Sequence, residues 1–276
     1  MRYDMEFSVK NVIPRRKSVR TFSEEPLRAV DRKRLESFLG SVENPFGVPV
    51  RFHLLDAWEY NLSSPVVRGA ELYVAAKAPR VPRAEEAYGY AFEQFVLYAA
   101  HLGIGTVWLA GTLDRSAFEN ALELTESELM PAVSPVGYPA SRRSVRENLM
   151  RKSVRADTRR PFSELFFRGG FSEPLVAQYA GEFREPLEML RLAPSAVNRQ
   201  PWRVVVGEGV VHFCLRRSRG RFPASAGDLP RVDMGIALAH FLLTARENGL
   251  EGRLTEERPE LELPDHTEYV ISYRLS

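Results

Sequence analysis

Two apolar segments of equal length, each bounded by glycines, constrain this 276-residue chain more than any other feature. One runs Gly89-Tyr-Ala-Phe-Glu-Gln-Phe-Val-Leu-Tyr-Ala-Ala-His-Leu-Gly103 and the other Gly235-Ile-Ala-Leu-Ala-His-Phe-Leu-Leu-Thr-Ala-Arg-Glu-Asn-Gly249. Their opening and closing glycines are both separated by 146 residues (235 − 89 and 249 − 103). In the first segment Phe92, Phe95, Ala99 and Leu102 fall on one helical face, and Val96, Leu97 and Ala100 cover much of the rest. A helix that is apolar nearly all round is buried on all sides. Two of them in one chain are expected to pack on each other. The closing glycines stand where a left-handed residue ends a helix.

The duplication extends beyond these helices. Phe22-Ser-Glu-Glu-Pro-Leu27 returns as Phe171-Ser-Glu-Pro-Leu175, each followed by a short helical pattern (Leu35, Phe38, Leu39; Leu187, Leu190). Extended segments follow in both copies, Pro49–Leu55 and Pro201–Val206. A period of about 150 residues is that of a domain, far above a solenoid repeat. Strands are expected at Val50–Leu55, Leu72–Ala76, Thr106–Leu109, Pro131–Tyr138, Trp202–Val206, Val210–Leu215 and Tyr269–Leu275. They alternate poorly with polar residues, so both faces are partly covered. The fold class is α+β, with helices over a mixed sheet.

Composition narrows function mainly by exclusion. With 38 Lys+Arg against 36 Asp+Glu the net charge is +2, so no global field draws the chain to nucleic acid. Charge is uneven locally: 142–160 carries a net +6 and 251–268 a net −5. The basic run lacks the interleaved aromatics that stack bases, and a solvated surface is the expected reading of both. Gln94–Leu113 has no formal charge, but its glycines point to a helix, a turn and a strand and not to a membrane span. The single cysteine, Cys214, cannot form an internal disulfide, and the N-terminus shows no apolar leader. Both fit a cytoplasmic protein. There is no P-loop, H-E-x-x-H, C-x-x-C or G-x-S-x-G, and the five histidines lack metal-ligand spacing. No metal is expected. His212 and Cys214 alternate along one strand and are read as packing or surface residues.

Two segments carry chemistry. Arg15-Arg16-Lys17-Ser18-Val19-Arg20 gathers cations and a hydroxyl into a compact anion clamp. Leu192-Ala-Pro-Ser-Ala-Val-Asn-Arg-Gln-Pro-Trp202 joins a helix to a strand. Its small residues Ala193, Ser195 and Ala196 admit a flat ligand close to the backbone, and Ser195, Asn198 and Gln200 offer hydrogen bonds in both directions. A polar turn with caps would look the same by spacing alone.

Taken together, these residues resemble the flavin-dependent nitroreductase family over almost the whole chain. The match rests on Arg16–Arg20, Ala193–Trp202, Leu102-Gly-Ile-Gly-Thr-Val-Trp108, Pro135-Val-Gly-Tyr-Pro-Ala140 and Arg159-Arg-Pro-Phe-Ser-Glu-Leu165. The resemblance implies a nitroreductase-like FMN fold, internally duplicated in the Thermotoga-type subgroup so that one chain mimics the usual homodimer. The expected halves are 1–165 and 166–276. The implied FMN contacts are Arg16, Lys17, Ser18 and Arg20, with Arg16 at the phosphate and Arg20 at the pyrimidine edge of the flavin. Pro194, Ser195, Ala196 and Asn198 come from the other half. Leu109, Ala110 and Gly111 pass the dimethylbenzene and N5 side, and Arg159 or Arg160 reaches the phosphate. NAD(P)H would reduce the flavin and a small-molecule acceptor, a nitroaromatic or quinone, would reoxidise it by ping-pong turnover. No catalytic side chain is assigned.

Departures from the family pattern are instructive. Aligning Phe22 with Phe171 puts Leu165–Gly169 where the clamp stands, so the second half lacks the clamp. Aligning Pro49 with Pro201 puts Ser41–Val48 where the loop stands, so the first half lacks the loop. One complete site and an inactive mirror site are expected, and a single chain should suffice for that site, with any higher assembly using other surfaces. The family's acidic residue beside the N5 loop glycine is Ala110 here. The other function classes are a flavin-binding module without rapid turnover, for storage, sensing or flavin breakdown, and a basic-surface nucleic-acid binder.

Overall fold

The computed structural model describes residues 5, 7–142, 144, 147, 158–217, 226–256 and 258–276. The basic run expected to be solvated surface therefore lies mostly outside the described residues.

The chain builds two five-stranded sheets around a central pair of long helices. The helices in chain order are α1 (Val9–Val12), α2 (Ala29–Leu39), α3 (Ala84–His101), α4 (Arg115–Ala121), α5 (Phe162–Leu165), α6 (Arg184–Arg191) and α7 (Leu229–Glu247). The first sheet uses β1 (Arg51–Asp56), β2 (Leu72–Pro79), β3 (Gly105–Thr106), β4 (Glu128–Leu129) and β5 (Val133–Gly137). Its order is β1-β2-β5-β3, with β4 on the far end of β2 and every pair antiparallel. The second uses β6 (Phe166–Arg168), β7 (Trp202–Gly207), β8 (Val210–Arg216), β9 (Gly252–Thr255) and β10 (Thr267–Leu275), ordered β6-β7-β8-β10-β9. Only β6 runs parallel to its neighbour, Phe166 facing Val204. The fold is α+β and internally duplicated.

The glycines at the start of the two apolar segments explain the close packing of α3 on α7. A Cβ on Gly89 would lie 2.1 Å from the Val232 carbonyl oxygen, and one on Gly235 would lie 2.1 Å from that of Glu86. Each glycine therefore removes the side chain that would hold the partner backbone away. The contact is reciprocal, as a pseudo-two-fold axis requires. Around it Tyr88, Phe92, Phe95, Leu97, Leu238 and Phe241 are fully buried. Each such side chain contributes about 1.5–3 kcal/mol over leaving it in water. Both helices end alike. Gly103 and Gly249 have φ of +75° and +73°. Ile104 N–H donates to Ala99 O at 2.8 Å and Leu250 N–H to Ala245 O at 2.9 Å, closing the two caps in the same way.

The expected strands are present, two of them shortened (Val133–Gly137 within the expected Pro131–Tyr138, and the strand at Thr106), and β4, β6 and β9 are additional to them. The strand expected at Thr106–Leu109 closes at Thr106, because Val107 N–H donates to the Ser134 hydroxyl (3.1 Å) and not to a backbone carbonyl. Pairing resumes at Leu109, whose N–H and C=O both bond Val133 at 2.9 Å. The interruption frees Val107 and Trp108 to leave the ladder. Of the described residues, no helix is long and apolar enough to cross a membrane, and none of their His, Cys, Asp and Glu cluster as a metal site. Cys214 is buried in β8, and burial pushes its thiol up to about 12. His212 shares a hydrogen bond with Ser272 across the sheet at 2.7 Å.

Candidate functional site

The segment after α1 runs extended along the end of the first sheet. Val19 N–H donates to Thr106 O at 2.9 Å, Ser18 pairs with Thr106 in parallel, and Arg68 N–H donates to Arg20 O at 2.9 Å. Gly105 makes this contact close: a Cβ there would stand 2.9 Å from the Val19 side chain. An extended strip sends alternate side chains to opposite sides. Arg16, Ser18 and Arg20 accordingly line one cavity, and Lys17 is exposed on the other side, outside it.

The cavity measures about 380 Å³ and is built from both sheets' halves of the molecule. The second half contributes Pro194, Ser195, Ala196, Val197 and Asn198, held in a conformation with left-handed φ at Val197 (+46°), Asn198 (+57°) and Gln200 (+51°). For a β-branched valine such a φ is costly, and such strain persists where surrounding contacts over-determine it. They do so here. Gln200 N–H donates to Ser195 Oγ at 2.9 Å, Asn198 N–H to Ser195 O at 2.9 Å, and Gln200 Oε1 accepts from Arg160 N–H at 2.8 Å. Arg159 lines the cavity beside the loop and donates to Leu192 O at 3.0 Å. The Arg160 side chain turns outward to Glu164 at 3.2 Å, so of this basic pair only Arg159 faces the cavity.

Ala110 and Gly111 form the cavity's turn on the first-half side, while Leu109, one residue earlier, is buried in a separate small core with Tyr73, Phe118 and Met130. Nothing stands within 4 Å of where a Gly111 Cβ would be, so the turn leaves open space at that point. Arg115 fixes this turn by donating to Ala110 O at 2.8 Å and to Met130 O at 2.7 Å. Its importance is invisible in sequence, since it lies on a short helix and acts through carbonyls.

Helix α7 supplies the opposite wall with Leu229, Val232, Asp233 and Ile236. Asp233 is 5% exposed, and one of its oxygens accepts from Ala196 N–H at 3.0 Å. Burial pushes its carboxyl up to about 8, against the weaker opposing pulls of that N–H and of Arg199. Sequence reasoning missed Asp233, although a lone acid inside an apolar helix was the available signal.

Behind the cavity a chain of polar groups crosses between the halves. The Trp108 indole, which lines the cavity, donates to Glu93 Oε2 at 2.9 Å. Glu93 Oε1 lies 2.9 Å from His240 Nε2, and His240 Nδ1 lies 2.8 Å from Met189 O. A carbonyl only accepts, so Nδ1 carries a proton and the Glu93–His240 contact shares another. Glu93 and His240 are each 0% exposed.

The pseudo-symmetric position differs in chemistry. Shifting by 146 residues, Leu229, Val232 and Ala110 correspond to Arg83, Glu86 and Glu256. These three line a separate, open cleft of about 520 Å³. Glu86 binds Arg83 at 3.2 Å and Arg231 at 2.7 Å, and Arg83 also binds Glu256 at 3.0 Å. Ion pairs occupy the places that apolar side chains hold in the cavity.

Comparison with known proteins identifies the family. The family described as "Putative TM nitroreductase" matches residues 8–245. No curated protein matches the chain. Among solved structures, a putative nitroreductase from Thermotoga maritima is similar at a TM-score of 0.64 and 23% identity, covering 100% of this chain and 97% of that one. A nitroreductase family protein from Clostridium difficile 630 covers 58% of this chain and 96% of its own at 15% identity and a TM-score of 0.44. One from Clostridium novyi NT covers 49% of this chain and 87% of its own at 18% identity and a TM-score of 0.42. With a match that takes in both central helices, the N-terminal clamp and the cavity loop, the chain belongs to the Thermotoga-type nitroreductase family.

Proposed function

We propose that the cavity binds FMN and that the chain is an FMN-dependent oxidoreductase, taking electrons from NAD(P)H and passing them to a nitroaromatic, a quinone or a similar small acceptor. The observation that carries this reading is the meeting, in one cavity, of Arg16, Arg20 and Arg159 with an apolar wall of Val107, Trp108, Val232 and Ile236. A flat aromatic ring with a phosphate tail needs both surfaces, and the donor set fits it. Arg16 and Arg159 would hold the phosphate. Ser18, Arg20, Asn198 and the loop backbone would hold the polar edge of the ring. The open space at Gly111 leaves room along its other edge.

Bound FMN would supply the electron-transfer chemistry. The residues bind, orient and shield. Arg20 places a cation where negative charge collects at the ring's polar edge. The pyridine nucleotide and the acceptor would use the same cavity in turn, which gives ping-pong kinetics. The halves 1–165 and 166–276 each contribute one face, so a single chain suffices for one site and the ion-paired mirror cleft takes no flavin. Nucleic acid and membranes are not partners in this reading, and a cytoplasmic location fits it.

Anaerobic addition of NADH or NADPH to the FMN-loaded protein is expected to bleach the flavin's visible absorbance. Failure of both would overturn the oxidoreductase in favour of a flavin-binding module without rapid turnover. The phosphate assignment has its own test. Arg16→Ala is expected to weaken FMN by about 2 kcal/mol, roughly 30-fold, and riboflavin hardly at all. Equal losses for the two ligands would move Arg16 away from the phosphate.

A further inference from the structure

The apolar wall that α7 presents to the cavity carries one acid. Leu229, Val232 and Ile236 flank Asp233, which is held in place by the Ala196 N–H at 3.0 Å. That bond occupies one carboxyl oxygen, Oδ1, of a residue that itself lines the cavity. The cavity's lining cations stand on the clamp strip and at Arg159, and none is on α7. The site therefore has a cationic region suited to an anion and an apolar region with a single polar group.

We propose that Asp233 is the specificity-determining hydrogen-bond donor of the cavity, receiving an uncharged acceptor molecule by a carbonyl or nitro oxygen. The inference rests on the flavin reading above and adds to it the group that selects the second ligand. To donate, the carboxyl must carry its proton, and burial favours that form. Among the described residues, the charges acting on it are opposed in sign and weaker than its burial. Arg199 on the loop favours the carboxylate and Asp228 at the start of α7 opposes it. Glu86 on the facing helix is committed to Arg83 and Arg231. Glu93 is committed to His240, and Glu188 on α6 to Arg191. A protonated carboxyl in an apolar wall favours a neutral oxygen acceptor, whereas a carboxylate there would repel the same oxygen.

The probe is menadione, an uncharged quinone, titrated into the oxidised FMN-loaded protein without reductant and followed by the flavin absorbance. Wild type is expected to bind it about tenfold more tightly at pH 6 than at pH 9.5. Asp233→Asn can still accept from Ala196 N–H and donate through its amide, so it should bind like wild type at pH 6 and keep that affinity at pH 9.5. Asp233→Ala should be about tenfold weaker at pH 6 with no pH dependence. Equal wild-type affinity at the two pH values, an alanine variant as tight as wild type, or an asparagine variant as weak as alanine would each overturn the proposal. FMN uptake is measured first in all three proteins. A wild type that takes up no FMN overturns both this proposal and the flavin reading, whereas normal uptake with pH-independent menadione binding overturns this proposal alone.

Discussion

Gly235→Ala is expected to cost the chain its native stability, by about 5 kcal/mol or more. The new Cβ would stand 2.1 Å from the Glu86 carbonyl oxygen and 2.9 Å from the Tyr90 backbone nitrogen, and backbone cannot rotate away as a side chain can. Relief requires α3 and α7 to separate, which loosens the packing of Phe92, Phe95, Leu238 and Phe241 along their length. For a chain of this size, 1 kcal/mol corresponds to roughly 2–4 °C, so the melting temperature should fall by about 10–20 °C. Gly103→Ala is the control. Its Cβ meets nothing within 4 Å, and only its positive φ of +75° opposes the change. That strain costs about 1 kcal/mol. Thermal unfolding followed by circular dichroism separates the two, and a Gly235→Ala protein melting with wild type would refute the close crossing.

His240→Leu is expected to destabilise by about 3–5 kcal/mol, because it strands the buried Glu93 carboxyl in the helix interface with, among the described residues, only the Trp108 indole as partner. Removing both groups is a different perturbation. A Glu93→Leu, His240→Leu double variant has no buried charge to satisfy, so it should recover much of the loss. Urea unfolding of the two proteins measures the difference. A double variant less stable than the single one would mean that the pair contributes net attraction and is no desolvation burden.

These two tests concern features of unequal legibility. The helix pair could be read directly, because glycines 146 residues apart and an all-round apolar pattern leave few other arrangements. Seven of the ten strands among the described residues could be read too; β4, β6 and β9, of two to four residues, are too short to show a pattern, and the Ser134 hydroxyl that takes the Val107 N–H is an interaction between segments that local pattern does not encode. In the cavity, the clamp and the loop were visible as short strings. Strand alternation, applied to the clamp, separates Lys17 from Arg16, Ser18 and Arg20. Leu109 and Arg160 stand next to cavity residues but turn away from it. Asp233, Arg115 and the Glu93–His240 pair were not legible as parts of the site. Asp233 and Glu93 work through partners distant in sequence, Ala196 and His240, and a lone residue in an apolar helix does not reveal which partner it meets; Arg115 works through backbone carbonyls, which leave no mark in the sequence.

The central claim is that a single chain assembles one flavin site from its two unequal halves. Equilibrium titration of the apoprotein with FMN, counting sites by fluorescence quenching, tests it most directly. One FMN per chain is the predicted result, since the cationic strip and the loop meet once and Arg83, Glu86 and Glu256 occupy the mirror cleft with ion pairs. Two equivalent sites per chain, or none, would contradict it.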